Sequence, residues 1–135
     1  MQPLIVGIMS YIPGMNKILQ KKGTGGTDSP RYCYEVWIKH LTMLRANGLE
    51  SVPETIAELG PGDSIGIGLA ALLSGANRYY ALDIVNYSNI EANVKILDEL
   101  VELFRNRSPR PGRGWPDYDQ YLDDNLFPSH ILTEE

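Results

Sequence analysis

Cysteine and histidine are scarce in this sequence. The single cysteine, Cys33, has no partner for a disulfide within the chain, which is typical of a reducing compartment and excludes a cysteine-rich zinc site. The two histidines, His40 and His130, lie far apart and show no metal-ligand spacing. We therefore predict a cytoplasmic protein that binds no metal ion, in which Cys33 is a small buried hydrophobic residue.

Positive charge is also in deficit. The chain has 12 Lys and Arg against 17 Asp and Glu, a net charge of −5 and a pI near 5.0. Proteins that bind nucleic acids or anionic membranes usually carry a basic face. Four arginines do fall between positions 105 and 113, but four aspartates follow between positions 117 and 124 and offset them. We predict no nucleic-acid or membrane partner and favour a small molecule.

A long hydrophobic run is missing as well. The stretch 3–19 is largely apolar, but Pro13, Gly14 and Asn16 interrupt it before it reaches the roughly 20 apolar residues of a membrane span. It also lacks the basic start and the small-residue cleavage site of a signal peptide. We expect one or two short helical segments here, packed against the rest of the chain.

The residues that are present suit one globular core, since 43% of the 135 residues are apolar and 21% are charged. A first helix is predicted to be capped by Ser29, with Pro30 in its first turn, and to end near Gly48. Its predicted buried stripe is Cys33, Trp37, Leu41 and Leu44.

Two short strands with a helix between them are predicted next. The strands cover about Thr55–Leu59 and Arg78–Leu82, and the apolar helix covers about 64–74. Gly66 and Gly68 within that helix indicate close packing against a sheet.

A last helix is predicted at about 89–105, where Ser88 and Glu91 have the spacing of a capping box. After position 107 the Pro, Gly and Arg residues predict a loop, and an acidic segment follows it. The predicted inner face of the helix is Ile90, Val94, Leu97, Val101 and Phe104.

The most informative motif is a glycine turn between the first strand and the helix after it. The last polar residue of the strand is Glu58, and Gly60, Pro61 and Gly62 then break it before Asp63. Glycines at such a turn let the backbone approach a ligand closely, beside the positive end of the helix. The sequence therefore predicts a cofactor-binding turn, in which Asp63 suits capping of the helix better than binding.

This turn resembles the first motif of the class I S-adenosylmethionine-dependent methyltransferases, apolar-apolar-acid-apolar-Gly-x-Gly, which stands here as IAELGPG at 56–62. Asp83 matches the second acid of that family, at the end of the next strand. Ser64 departs from the family, in which many members have a third glycine, and Gly66 is expected to supply the close approach instead. The flanks at 23–27 and 32–37 look similar to uncharacterised bacterial members of the superfamily.

The resemblance implies a role for each of these residues. Gly60 and Gly62 would let the loop pass under the methionine part of the cofactor, and Glu58 would support the loop or meet the cofactor's ammonium group. Asp83 would accept hydrogen bonds from both ribose hydroxyls, with Ile84 beside the adenine. The predicted cofactor-binding residues are Glu58, Gly60, Pro61, Gly62, Asp63, Asp83 and Ile84.

The chemistry of the acids favours S-adenosylmethionine over a nicotinamide dinucleotide. A carboxylate only accepts hydrogen bonds, so Asp83 suits the two neighbouring hydroxyls of a ribose and repels a phosphate. Glu58 and Asp63 add negative charge, which tolerates a sulfonium and an ammonium but repels a pyrophosphate. The dinucleotide pattern Gly-x-Gly-x-x-Gly would also need glycine where the chain has Ile65.

The predicted fold class is α/β: a partial Rossmann-like methyltransferase fold, with a βαβ unit of parallel strands preceded by N-terminal helices. We divide the chain into an N-terminal helical segment (1–49), an S-adenosylmethionine-binding βαβα unit (50–107) and a Pro/Gly/Arg-rich loop with an acidic C-terminal segment (108–135). A full methyltransferase sheet has further strands, which build the acceptor site. The chain is therefore expected to be the N-terminal part of a longer protein, and no catalytic residue is predicted from it.

The leading functional hypothesis is the S-adenosylmethionine-binding portion of a methyltransferase that acts on a small-molecule or glycan acceptor, and activity of this portion alone is left open. One alternative is a fragment of an NAD(P)-binding oxidoreductase. The other is a non-catalytic association domain, because an open two-stranded sheet is marginal by itself and its exposed edge favours a homodimer.

Overall fold

The computed structural model describes residues 26–84, 87–109 and 119–132. Within these ranges the chain forms three α-helices, two β-strands and a short 3-10 helix. In chain order they are α1 (Pro30–Ala46), β1 (Thr55–Leu59), α2 (Gly66–Leu73), β2 (Arg78–Leu82), α3 (Ile90–Arg105) and the 3-10 helix (Asp119–Tyr121). The helical segments expected at 3–19 lie outside the described residues. None of the described helices has both the length and the apolar character that crossing a bilayer requires.

The two strands are parallel neighbours in one sheet, with Thr55 opposite Arg78 and Leu59 opposite Leu82. The helix α2 connects them, because a parallel pair needs a crossover connection and cannot be joined by a hairpin. Both strands have the predicted bounds. The α/β architecture with parallel strands is thus confirmed, whereas the Rossmann-like methyltransferase fold stays a prediction.

The two faces of this sheet differ in burial. Ile56, Glu58 and Tyr79 are half-buried on the side that α2 covers, whereas the residues that alternate with them are exposed. On the outer face, Leu59 is 82% exposed and Leu82 is 54% exposed. Parallel sheets normally bury both faces. The described residues therefore cover one side of the sheet and leave apolar side chains open on the other.

Turn residues set both ends of α1, as predicted. Ser29 has an extended backbone and its Oγ accepts a hydrogen bond from the Tyr32 amide at 3.3 Å, while Pro30 occupies the first turn. At the other end Asn47 terminates the helix, and Gly48 follows with a φ of 95°, a left-handed conformation that favours glycine.

The buried face of α1 is wider than the predicted stripe. Cys33, Trp37 and Leu41 are buried as predicted, but Leu44 is exposed in the last turn, at the edge of this face, so its assignment to the stripe is wrong. Burial raises the pKa of the Cys33 thiol from 9.0 to about 11, which makes it an inert hydrophobic residue, as expected. The further buried residues of α1 are Tyr34, Ile38 and Thr42.

Asn89, rather than Ser88, caps α3. Its backbone is extended and its Oδ1 accepts a hydrogen bond from the Ala92 amide at 3.0 Å. Ser88 Oγ instead accepts one from Asn93 Nδ2 at 2.7 Å. The predicted capping box of Ser88 with Glu91 is wrong, because the helix begins one residue later than that motif requires.

The inner face of α3 also differs from the prediction. Ile90 and Val94 are exposed, whereas Ile96 and Leu100 are buried. Two apolar rows run along this helix, so its periodicity does not decide which one faces inward. Packing against α1 and α2 selects the row through Ile96 and Leu100, and Phe104 joins the core from the last turn.

Two glycines of α2 allow this helix to pack closely against the other helices and against the sheet. A Cβ at Gly66 would stand 2.4 Å from Cys33 Sγ and 3.1 Å from Ile96 Cγ2, and a Cβ at Gly68 would stand 2.3 Å from the Tyr79 ring. The expected approach to the sheet is therefore confirmed for Gly68, whereas Gly66 packs against α1 and α3. The buried core cluster comprises Cys33, Tyr34, Trp37, Ile38, Leu41, Ala70, Ala71, Ala76, Ile96, Leu100, Phe127, Ile131 and Leu132.

Asp123 links the segment 119–132 to the residues that follow α3 through its bond with Arg107. Its carboxylate accepts hydrogen bonds from the amides of Asn125 and Phe127, from Ser129 Oγ and from Arg107 Nη2, at distances between 2.9 and 3.1 Å. The Phe127 amide is the main cause that holds the pKa of Asp123 below its ordinary value, and Arg107 adds to it. Phe127, Ile131 and Leu132 of this segment belong to the buried core cluster, so the segment packs on the same core as the helices.

Candidate functional site

A cleft of about 320 Å³ lies beyond the carboxyl ends of the two strands. This is the edge at which open α/β sheets bind their ligands. Its walls come from the glycine turn, from β2 and from the loop after β2. The lining residues are Pro61, Gly62, Ile65, Ala81, Asp83, Tyr87 and Ser88.

The glycine turn and Asp83 face this same cleft. Gly60 and Gly62 have φ values of 70° and 76°, a region that L side chains rarely adopt, so glycine is required at both positions. The Gly60 amide donates to the Leu82 carbonyl at 2.8 Å, which extends the sheet into the turn. The Gly62 amide then donates to Asp83 Oδ2 at 3.4 Å, near the long end for a hydrogen bond.

The start of α2 differs from the prediction that Asp63 caps it. The helix begins at Gly66 with Ile65 as its N-cap, and that residue makes no side-chain capping bond. Asp63 is two residues too early for the role. Ser64 Oγ instead accepts the Gly66 amide at 3.0 Å, and Ser64 is buried.

Thr27 braces the turn from the segment that precedes α1. Its side chain is 6% exposed, and its Oγ1 accepts the Asp63 amide at 3.1 Å. Its carbonyl accepts a hydrogen bond from Ser64 Oγ. A Cβ at Gly62 would stand 3.2 Å from Thr27 Oγ1, so the second glycine of the turn also makes room for this threonine.

Asn93, in the first turn of α3, also holds the glycine turn. Its Oδ1 accepts the Ile65 amide at 3.2 Å. Together with the bonds above, the amides of residues 62, 63, 65 and 66 all donate to acceptors of the protein itself. A phosphate-binding turn points such amides at the ligand. In this turn, these four amides donate to side chains of the protein instead.

Glu58 is directed toward the neighbouring strand. Tyr79 Oη donates to Glu58 Oε2 at 2.5 Å beneath α2. Burial, followed by this hydrogen bond, raises the pKa of Tyr79 well above its ordinary value. The Glu58 carboxylate thus links β1 to β2 through a side-chain hydrogen bond. Glu58 is not among the residues that line the cleft.

The structure brings only some of the predicted cofactor-binding residues to the cleft. Pro61, Gly62 and Asp83 line it, whereas Gly60 shapes the turn behind it. Ile84 is fully exposed and is not among the lining residues. The predicted residues that do not line this cleft are Glu58, Gly60, Asp63 and Ile84.

The sequence analysis missed two groups of residues at this site. Ile65, Ala81, Tyr87 and Ser88 line the cleft, and their positions directly after the turn and around Asp83 were a usable signal. Thr27 and the asparagine that holds Ile65 carry no such signal, because their partners lie 36 and 28 positions away in sequence.

A larger groove of about 430 Å³ lies between α1 and α3. Asp98, Glu99 and Glu102 line it with Arg31, and Arg31 already pairs with Glu35 at 2.5 Å. Glu102 likewise pairs with Arg105, so two of the charged lining residues already have partners within the protein, and size alone does not make this groove the better candidate.

Comparison with protein-family models, curated proteins and solved structures finds no match to this chain. In the described ranges, no group of three or more His, Cys, Asp or Glu side chains is arranged to hold a metal ion. The likeness to methyltransferases therefore depends on the glycine turn and on Asp83.

Proposed function

We propose that the cleft binds the nucleoside of S-adenosylmethionine, and that the chain is the cofactor-binding portion of a methyltransferase with a small-molecule or glycan acceptor. The observation that carries this proposal is the meeting of the Gly62 amide and the Asp83 carboxylate at 3.4 Å beyond two parallel strands. On this proposal β1, α2 and β2 are the start of a Rossmann-like sheet.

Asp83 suits the ribose of such a cofactor. A carboxylate accepts hydrogen bonds from two neighbouring hydroxyls, and the long bond from Gly62 is readily exchanged for bonds from a ligand. The cleft, at about 320 Å³, falls at the lower end of the range of roughly 300–1,000 Å³ for small-molecule sites. Ile65, Ala81 and Tyr87 supply apolar surface for a planar base.

The same walls disfavour a nicotinamide dinucleotide. The amides of residues 63, 65 and 66 donate to Thr27, Asn93 and Ser64, so none of these three is offered to a pyrophosphate. Asp83 is the one charged side chain among the described residues that line the cleft, and its charge is negative. An NAD(P)-binding oxidoreductase is therefore the weaker hypothesis.

When bound, S-adenosylmethionine supplies an electrophilic methyl group on a sulfonium. Transfer of that group needs in-line approach and an acceptor freed of its proton. The described residues of this chain shape the donor side of the reaction, and we assign no catalytic base among them.

Calorimetric titration with S-adenosylhomocysteine tests the proposal. We expect saturable binding to the wild-type chain and its loss in Asp83→Ala, whereas Asp98→Ala, which removes an exposed acid of α3, binds as wild type. Binding of NADH without binding of S-adenosylhomocysteine would support the oxidoreductase and contradict the proposal.

A second candidate, a non-catalytic association domain, is favoured by the outer face of the sheet. Leu59, Tyr80 and Leu82 are exposed there, and no strand in the described ranges pairs with either edge. We propose that a second copy of the chain meets this sheet in a homodimer. A chain that binds neither cofactor but sediments as a dimer, and becomes monomeric in Leu59→Lys, would establish this candidate over the first.

A further inference from the structure

Asn93 connects the two walls of the cleft. Its Oδ1 accepts the Ile65 amide at 3.2 Å on the side of the glycine turn, and its Nδ2 donates to Ser88 Oγ at 2.7 Å on the side of the loop after β2. Ile65 and Ser88 both line the cleft. We propose that Asn93 is a positioning residue that sets the width of the cleft and thereby its affinity for the cofactor. The identity of the ligand rests on the proposed function, whereas the contacts do not.

The helix that carries Asn93 is anchored in the core. Ile96 and Leu100, one and two turns further along α3, are buried among the residues of α1 and α2. Ile96 also packs against the first turn of α2, since a Cβ at Gly66 would stand 3.1 Å from its Cγ2. Asn93 therefore holds both walls against a fixed support.

A side-chain amide suits this bridge because it carries one acceptor and one donor on a short stem. Alanine at position 93 loses both bonds and leaves the Ile65 amide without its acceptor. Aspartate keeps the acceptor for Ile65, and the Ser88 hydroxyl can then donate to the carboxylate. Comparing Asn93→Ala with Asn93→Asp thus distinguishes the effect of losing these hydrogen bonds from the effect of changing the residue at position 93.

Affinity for S-adenosylhomocysteine, measured by calorimetry, tests the role. We expect roughly tenfold weaker binding in Asn93→Ala, from the loss of one to two hydrogen bonds, and near wild-type binding in Asn93→Asp. The matched control is Asn89→Ala, which removes the cap bond to Ala92 on the same helix. If Asn89→Ala weakens binding as much as Asn93→Ala at equal loss of stability, Asn93 is only structural and the proposal is wrong.

Amide hydrogen exchange at Ile65 tests the bridge without any ligand. Exchange should become faster in Asn93→Ala, return toward the wild-type rate in Asn93→Asp and stay unchanged in Asn89→Ala. If the wild-type chain binds no S-adenosylhomocysteine, the proposed function fails, but this measurement still decides whether Asn93 holds the glycine turn through the Ile65 amide. An unchanged Ile65 rate in Asn93→Ala would overturn it.

Discussion

The helical layer and the strand pair of this protein are built differently. In the helical layer, Tyr34, Ile38 and Leu41 are fully buried between α1, α2 and α3. In the strand pair, most residues are exposed, and Leu59 and Leu82 face outward. The candidate cleft belongs to the strand pair. Burial thus indicates that folding energy comes chiefly from the helices, whereas the residues proposed to bind a ligand stand on the less buried part.

The same truncation in the two regions gives the largest expected contrast. Leu41→Ala opens a cavity in the helical layer and should lower the free energy of unfolding by about 2–5 kcal/mol. Leu59→Ala removes an exposed side chain and should change it by less than about 0.5 kcal/mol. Urea denaturation of both variants measures the difference, and equal losses would show that the outer face of the sheet is buried in solution.

The contact between α2 and the strand pair gives the next largest expected effect on stability. Gly68→Ala places a methyl group 2.3 Å from the Tyr79 ring and should destabilise the protein by about 1–3 kcal/mol, although alanine favours a helix over glycine. Removing the ring should relieve the clash, so the double variant with Tyr79→Ala should lose less stability than the sum of the single variants. Thermal unfolding of the full set checks this, and a stabilising Gly68→Ala would contradict the packing.

Two buried threonines allow an effect on overall stability to be distinguished from an effect on the glycine turn. Thr27→Val and Thr42→Val each remove one hydroxyl bond and should each cost about 1 kcal/mol. Only Thr27 accepts the Asp63 amide, whereas Thr42 Oγ1 donates to the Ile38 carbonyl within α1. Hydrogen exchange at Asp63 should therefore become faster in Thr27→Val alone. Identical exchange rates at Asp63 in the two variants would contradict the role of Thr27 in holding the glycine turn.

The smallest expected effect concerns acid stability at the end of the helical layer. The folded-state pKa of Asp123 is lowered from 3.8, chiefly by the Phe127 amide, so its ionised form stabilises the fold. That contribution is present above pH 3.8 and is lost as the pH falls through the lower folded-state pKa. Asp123→Asn should flatten this acid limb of the stability curve, and Asp124→Asn controls for the same change in net charge.

Local patterns predicted the strands and the ends of α1 because those features depend on neighbouring residues. The strands are short apolar runs bounded by turns, and Ser29 with Pro30 marks a helix start by itself. The cap of α3 was missed because Ser88 and Asn89 are both good capping residues, and only the extended backbone of Asn89 decides between them.

At the candidate site, too, some contacts could be predicted from the sequence and others could not. Gly62 and Asp83 could be predicted to meet, because the carboxyl ends of neighbouring parallel strands lie at one edge. The inward face of α3 and the contacts of Thr27 depend on how the helices dock. That docking selects between two apolar rows and brings together residues distant in sequence, which no local pattern encodes.

The burial of Cys33 has a practical consequence. It is the chain's single cysteine, its side chain is fully buried, and burial raises the pKa of its thiol to about 11. Thiol-reactive fluorophores should therefore not label Cys33 in the native protein. A cysteine introduced at an exposed position outside the cleft would therefore be the one labelled site of the native protein.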